Sequence, residues 1–94
     1  MFIISGEKGT GKTKALLEKA KAEDGIIVCK DATQLRNRAY GYRLTGLDIA
    51  SYDDLLKGKL ETSEKPIYIH DINKFIRDRF PYVKGYTVCN EWFN

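Results

Sequence analysis

The sequence predicts an α/β domain, a mainly parallel five-stranded sheet with helices on both faces. Three observations carry that expectation. Short apolar runs alternate strictly with amphipathic stretches from one end of the chain to the other. The runs Phe2-Ile3-Ile4-Ser5 and Ile26-Ile27-Val28-Cys29 lack polar alternation, as strands covered on both faces do. A glycine-rich segment joins the first run directly to the first amphipathic stretch. With 94 residues, the chain has room for one domain, residues 1–94, and not for two.

Each element follows from its residues. Residues 2–5 read as a strand ended by Gly6, and from Lys12 the pattern turns helical. Ala15, Leu16, Leu17 and Ala20 then share one side, while Lys14, Glu18, Lys21 and Glu23 share the other. Asp24-Gly25 stops this helix and residues 26–29 form the second strand. Asp31 with Gln34 three residues on has the spacing of a helix cap, so a basic helix follows, ended by Gly41 or Gly46. Leu47 to Ala50 is a weaker strand. Ser51 to Asp54 opens a short helix that Gly58 stops, and residues 58–65 form a polar loop. Ile67-Tyr68-Ile69 is a strand, and a helix runs from Asn73 until Pro81. Tyr86-Thr87-Val88-Cys89 reads as the fifth strand.

Composition narrows the function classes. Hydrophobic residues make up 43% and charged residues 31%, the balance of an ordinary globular chain. The formal charge of +3 is too small for a dedicated nucleic-acid binder. It is unevenly spread: residues 1–45 carry nine basic and five acidic side chains, and residues 46–94 carry seven and eight. An anionic ligand is therefore expected at the first half. Cys29 and Cys89 stand sixty residues apart without a nearby second cysteine, which argues against a zinc site and for a reducing, cytoplasmic setting. No apolar run is long enough to span a membrane, and the residues before Gly6 are too few for a signal-peptide core.

The strongest motif is Gly6-Glu7-Lys8-Gly9-Thr10-Gly11-Lys12-Thr13, a full match to G-x-x-x-x-G-K-[ST] set between a strand and a helix. Its glycines allow positive φ and let backbone N–H groups approach an anion. The helix that follows adds the positive end of its dipole. Lys12 can reach the β- and γ-phosphates of a nucleotide, and the Thr13 hydroxyl can ligate Mg²⁺. Glu7, Lys8 and Thr10 belong to the same loop; Lys8 can touch phosphate, but the preferred reading is a solvated loop lysine.

On these residues the chain resembles the P-loop nucleoside-triphosphatase superfamily. It is most similar in pattern to thymidine-kinase-like and helicase-like (RecA-like) cores, which share the apolar strand of residues 26–29 and a later apolar strand ending in an acidic pair. The resemblance implies a single three-layer P-loop domain. It implies that strand 67–69 lies close to strand 2–5, with strand 26–29 at one edge of the sheet and strand 86–89 beyond the first. Cys29 and Cys89 would then be too far apart to bond. No lid, zinc ribbon or second RecA-like domain is expected within these 94 residues, so neither specific activity carries over.

The resemblance also implies a carboxylate that holds the water shell of Mg²⁺, followed in the helicase branch by a glutamate that polarises the attacking water. The matching stretch is Ile67-Tyr68-Ile69-His70-Asp71-Ile72-Asn73-Lys74-Phe75. In one register Asp71 is the metal-side aspartate and the glutamate is missing. In the other, His70 takes the place of the aspartate and Asp71 that of the glutamate. The second keeps Ile72 to Phe75 in step with the family pattern and is preferred. Outside both registers, His70 reads as a strand-end histidine and Asp71 as a helix cap. Asn90 takes a place where related proteins often sense the γ-phosphate, and it reads equally as a capping or turn asparagine. Arg77 and Arg79 lie on the helix after the strand, where an arginine can act on a neighbour's nucleotide or simply stand in solvent.

The expected function is binding of a nucleoside triphosphate, ATP first, with Mg²⁺, and hydrolysis that is weak or depends on a protein partner or a second copy of the chain. Two other readings stay open. One is a small nucleoside- or nucleotide-kinase-like phosphotransferase. The other is an assembly module that keeps the loop for anion binding and meets single-stranded nucleic acid through Arg36, Arg38, Tyr40, Tyr42 and Arg43.

Overall fold

The central strand of the sheet is β1, Ile26–Cys29, whose four residues are all buried. The computed structural model describes Ile4 and residues 11–87. Along these, α1 (Lys12–Ala22) precedes β1, and α2 (Ala32–Gly41) leads to β2 (Asp48–Ser51). Then come α3 (Tyr52–Leu56), β3 (Ile67–Ile69) and α4 (Ile72–Arg79). The sheet is parallel with order β2-β1-β3. Ile26 stands opposite Asp48 on one side and Ile67 on the other.

Alternation along β1 sorts the core into two layers. Ile27 and Cys29 pack with Leu17 and Ala20 of α1 and with Leu35 and Ala39 of α2. Val28 packs on the opposite face with Tyr52 of α3 and Phe75 of α4. Burying a strand on both faces is what an unbroken Ile-Ile-Val-Cys run does best.

Local chemistry sets the helix limits. Asp31 Oδ1 accepts from Gln34 N at 3.0 Å to start α2, and Ser51 and Asp54 form a reciprocal capping box at the start of α3. Helices α1, α2 and α3 end alike, in Schellman-type pairs of hydrogen bonds around a left-handed residue. In α1 these are Gly25 N to Ala20 O and Asp24 N to Lys21 O, at 2.8 and 3.2 Å. The left-handed residues are Asp24, Arg43 and Gly58, so only the third is a glycine. Gly25 serves another purpose: a Cβ there would lie 2.7 Å from Tyr68 Cε2 and 2.8 Å from the Pro66 carbonyl. Its bare Cα lets β3 close onto the end of α1.

Two expectations are corrected. The five-stranded, three-layer P-loop sheet is not what forms: among the described residues the sheet has three strands. The expected last strand begins at Tyr86, but Tyr86 and Thr87 carry no ladder and the whole segment 81–87 is exposed. A strand needs a neighbour's backbone and a covered face, and this segment has neither among the described residues. Expected strand residues 2, 3, 5, 88 and 89 lie outside the described residues, as does Cys89. The second correction concerns order. Residues 26–29 are central, flanked by β2 and β3, whereas the resemblance implied an edge. An edge strand with no charge, proline or bulge would be exposed to further pairing, and this run has none of those. No helix of the described residues is long and apolar enough to cross a membrane.

Candidate functional site

A crevice opens where the carboxyl ends of β1 and β3 meet. The helix leaving β1, α2, packs on one face of the sheet, and the helix leaving β3, α4, packs on the other. Adjacent parallel strands whose outgoing connections part in this way leave a gap at their ends, the usual ligand crevice of open α/β sheets. Cys29, Lys30, His70 and Asp71 border a cleft of about 140 Å³ there.

The amino end of α1 reaches the same place. Gly11, the residue before the helix, has φ of 79°, a left-handed conformation that only glycine adopts without strain. Among the described residues no side chain caps α1 and no acid lies in its first turn, so the positive end of its dipole is not neutralised from within the helix. Lys12 and Thr13 are its first two residues. Gly6, Glu7, Lys8, Gly9 and Thr10, the remainder of the expected phosphate loop, lie outside the described residues.

Thr13 Oγ1 lies 3.1 Å from His70 Nε2. This contact brings the loop motif and the end of the later strand together across 57 residues of chain. Burial holds the His70 pKa below its ordinary value, Asp71 opposes that shift, and Arg38 and Lys74 add to it. The shift favours the neutral imidazole, whose Nε2 accepts from the threonine hydroxyl in one tautomer and donates to its oxygen in the other.

Asp71 has a different task. Its Oδ1 accepts from Lys74 N at 3.1 Å and caps α4. The residue itself is left-handed, with φ of 59°, a conformation that aspartate tolerates better than most residues. What holds this turn is Tyr52, fully buried and absent from the expected site. Its hydroxyl donates to the carbonyls of His70 at 3.0 Å and Asp71 at 3.2 Å, and its ring meets Phe75 edge-on at 4.8 Å. Burial, with Asp71 adding to it, pushes the phenol up to about 12. Nothing in the spacing of Ser51-Tyr52-Asp53-Asp54 marks Tyr52 as a support for a turn eighteen residues on.

The other expected residues separate. Arg79 pairs with Asp53 at 2.7 Å and Asp78 at 3.1 Å, and Arg77 is exposed on α4. Asn90 lies outside the described residues. The strip on α2 divides: Tyr42 packs against the core, Arg38 faces the cleft, and Tyr40 stands 67% exposed. Burial raises the Cys29 thiol, with Asp31 adding to it, so Cys29 acts as a small apolar side chain and not as a nucleophile.

Among the described residues no group of three or more His, Cys, Asp or Glu side chains could hold a metal ion. The donors present do not fit a protein cage. The Thr13 hydroxyl beside His70 offers a single oxygen donor. No family model matches the chain, and no curated protein or solved structure matches it.

Proposed function

We propose that this chain binds a nucleoside triphosphate, ATP first, with Mg²⁺ through residues 6–13, and hydrolyses it slowly unless a partner or a second copy of the chain assists. The observation that carries the reading is the 3.1 Å contact between Thr13 Oγ1 and His70 Nε2. In a P-loop site the threonine hydroxyl serves Mg²⁺, and a residue at the end of a neighbouring strand steadies it. His70 fills that steadying role without adding a negative charge. Thr13 would hold the cation, with His70 behind it, and the metal would supply charge neutralisation at the β- and γ-phosphate oxygens.

The uncapped start of α1 supports the same reading, because its first-turn N–H groups and dipole favour an anion. Lys12 adds a point charge at that end. Slow turnover follows from the carboxylates: Asp71 is the neighbour of His70 in sequence, and one of its oxygens already caps α4. A reducing, cytoplasmic setting agrees with the buried thiol of Cys29.

Calorimetric titration with ATP and GTP, each with and without Mg²⁺, followed by phosphate release, tests the proposal. Mg²⁺-dependent ATP binding, with release well below the ~1–100 s⁻¹ of kinases, is expected. No ATP binding in the presence of Mg²⁺ overturns it.

A further inference from the structure

The chain leaving α4 carries aromatic and basic side chains that the nucleotide site does not use. It begins as a fixed turn: Val83 N donates to the Phe80 carbonyl at 2.9 Å, with Pro81 at the position its ring favours. Lys84 Nζ donates back to the Pro81 carbonyl at 3.5 Å. The turn stands on the core layer of α3 and α4. Tyr82 meets Phe80 edge-on with centroids 6.2 Å apart, Phe80 meets Phe75 at 6.0 Å, and Phe75 meets buried Tyr52 at 4.8 Å. Anchored at that end, Tyr82 is still 73% exposed, and Tyr86 is 52% exposed. The free charge nearby has one sign. Arg77 and Lys84 are exposed, and no acidic residue follows Asp78 up to Thr87. Asp78 itself is taken up by Lys30 at 2.8 Å and Arg79 at 3.1 Å.

We propose that residues 77–86 form a contact for single-stranded nucleic acid. Tyr82 and Tyr86 offer rings on which bases stack, and Arg77 and Lys84 neutralise phosphates of the strand. The cations favour a polyanion, and the exposed rings beside them favour one that carries flat bases over an acidic peptide. The preformed turn lowers the ordering cost of binding. The basic strip on α2 lacks this pair of rings, because Tyr42 packs against the core and only Tyr40 stands out. With two cations and not a groove of them, the contact is a short one, in keeping with the net charge of +3. It does not rest on nucleotide binding at residues 6–13.

Fluorescence anisotropy of a labelled oligothymidylate, titrated with the full chain from low to physiological salt, tests the proposal. Saturable binding is expected, with a log–log salt slope of about −1.4 for two neutralised phosphates. Tyr82→Ala and Tyr86→Ala should each weaken it roughly tenfold, whereas Tyr82→Phe keeps the ring and should bind like the wild type. Lys84→Gln should bring the slope to about −0.7. Circular dichroism checks that each variant is folded, and Lys84→Gln, which removes no ring, keeps the test open if an alanine variant is not. Tyr40→Ala, at the exposed ring of α2, should change nothing. No binding at low salt, alanine variants that bind like the wild type, or an equal loss in Tyr40→Ala overturns the proposal. Equal competition by polyglutamate also overturns it, since the partner would then be an acidic protein surface. Failure of ATP to bind while these results hold overturns the nucleotide reading and leaves this one standing.

Discussion

Thr13 and His70, 57 residues apart, meet at 3.1 Å between a hydroxyl and a neutral ring nitrogen. The contact ties the first turn of α1 to the residue that follows β3, two pieces of chain that touch no common strand by sequence. His70 is the side chain against the threonine, while the Asp71 carboxylate turns to the backbone of α4. A neutral imidazole in that place meets the hydroxyl without adding a negative charge.

Lys12 and Thr13 should therefore matter in different ways. Lys12→Ala removes a charge from the phosphates and should weaken ATP with or without Mg²⁺. Thr13→Ala should weaken it chiefly when Mg²⁺ is present. Each loss should be about 1–3 kcal/mol, the range for a hydrogen bond to a charged group. Isothermal titration reads both, and unchanged affinity in Lys12→Ala would remove the loop from nucleotide binding.

Turnover should depend on Asp71 more than on His70. Asp71→Asn keeps an oxygen to cap α4 and removes only the charge, so loss of activity in that variant reports chemistry and not folding. It should abolish what phosphate release the wild type shows. His70→Asp restores a carboxylate behind Thr13 and should raise the rate, whereas Ile72→Glu should do little. Steady-state phosphate release at saturating Mg-ATP measures all three. Full activity in Asp71→Asn would take this strand out of the mechanism.

Much of the local structure was legible because it depends on neighbours in sequence. Asp31 with Gln34 and Ser51 with Asp54 announce their helices, and both caps form. The apolar run of residues 26–29 announces a strand covered twice, and β1 is buried at every residue. Its position in the sheet was not legible, because an Ile-Ile-Val-Cys run reads the same at an edge as at the centre. The fifth strand failed for a related reason. Tyr86 and Thr87 have the residue types of a strand, yet propensity gives no partner, and these residues stand exposed. At the site, the motif pointed to Thr13, and the strand-end pattern pointed to both His70 and Asp71. Tyr52 and the cleft-facing turn of Arg38 come from tertiary packing, for which a spacing rule has no signal.

Gly25 should tolerate no side chain. An added Cβ would approach the Pro66 carbonyl to 2.8 Å and Tyr68 Cε2 to 2.7 Å. The tyrosine ring can swing aside, but the carbonyl accepts from Ile26 N at 2.8 Å and is held by the sheet. Gly25→Ala should then part β3 from the end of α1 and destabilise the fold by about 1–3 kcal/mol. Urea unfolding monitored by circular dichroism gives the number, and a stability equal to the wild type would show that the close approach is not required.

Tyr52 links stability to alkaline pH. Its phenol is pushed up to about 12 from the ordinary value of 10.0, mainly by burial. The neutral form is thus favoured in the folded state. The stabilisation is fully present below pH 10.0, the unfolded value, and is lost as the pH rises through about 12. Ultraviolet titration of tyrosinate should show one late step near that pH, accompanied by unfolding, and Tyr52→Phe should remove that step. The same variant leaves the His70 and Asp71 carbonyls without their donor and should lower stability at neutral pH by about 1–3 kcal/mol. Because those carbonyls belong to the left-handed turn that aims His70 at Thr13, Tyr52→Phe should also weaken ATP more in Mg²⁺ than without it. A phenylalanine variant that keeps the late tyrosinate step, or that binds ATP like the wild type under both conditions, would show that the hydroxyl does not hold this turn.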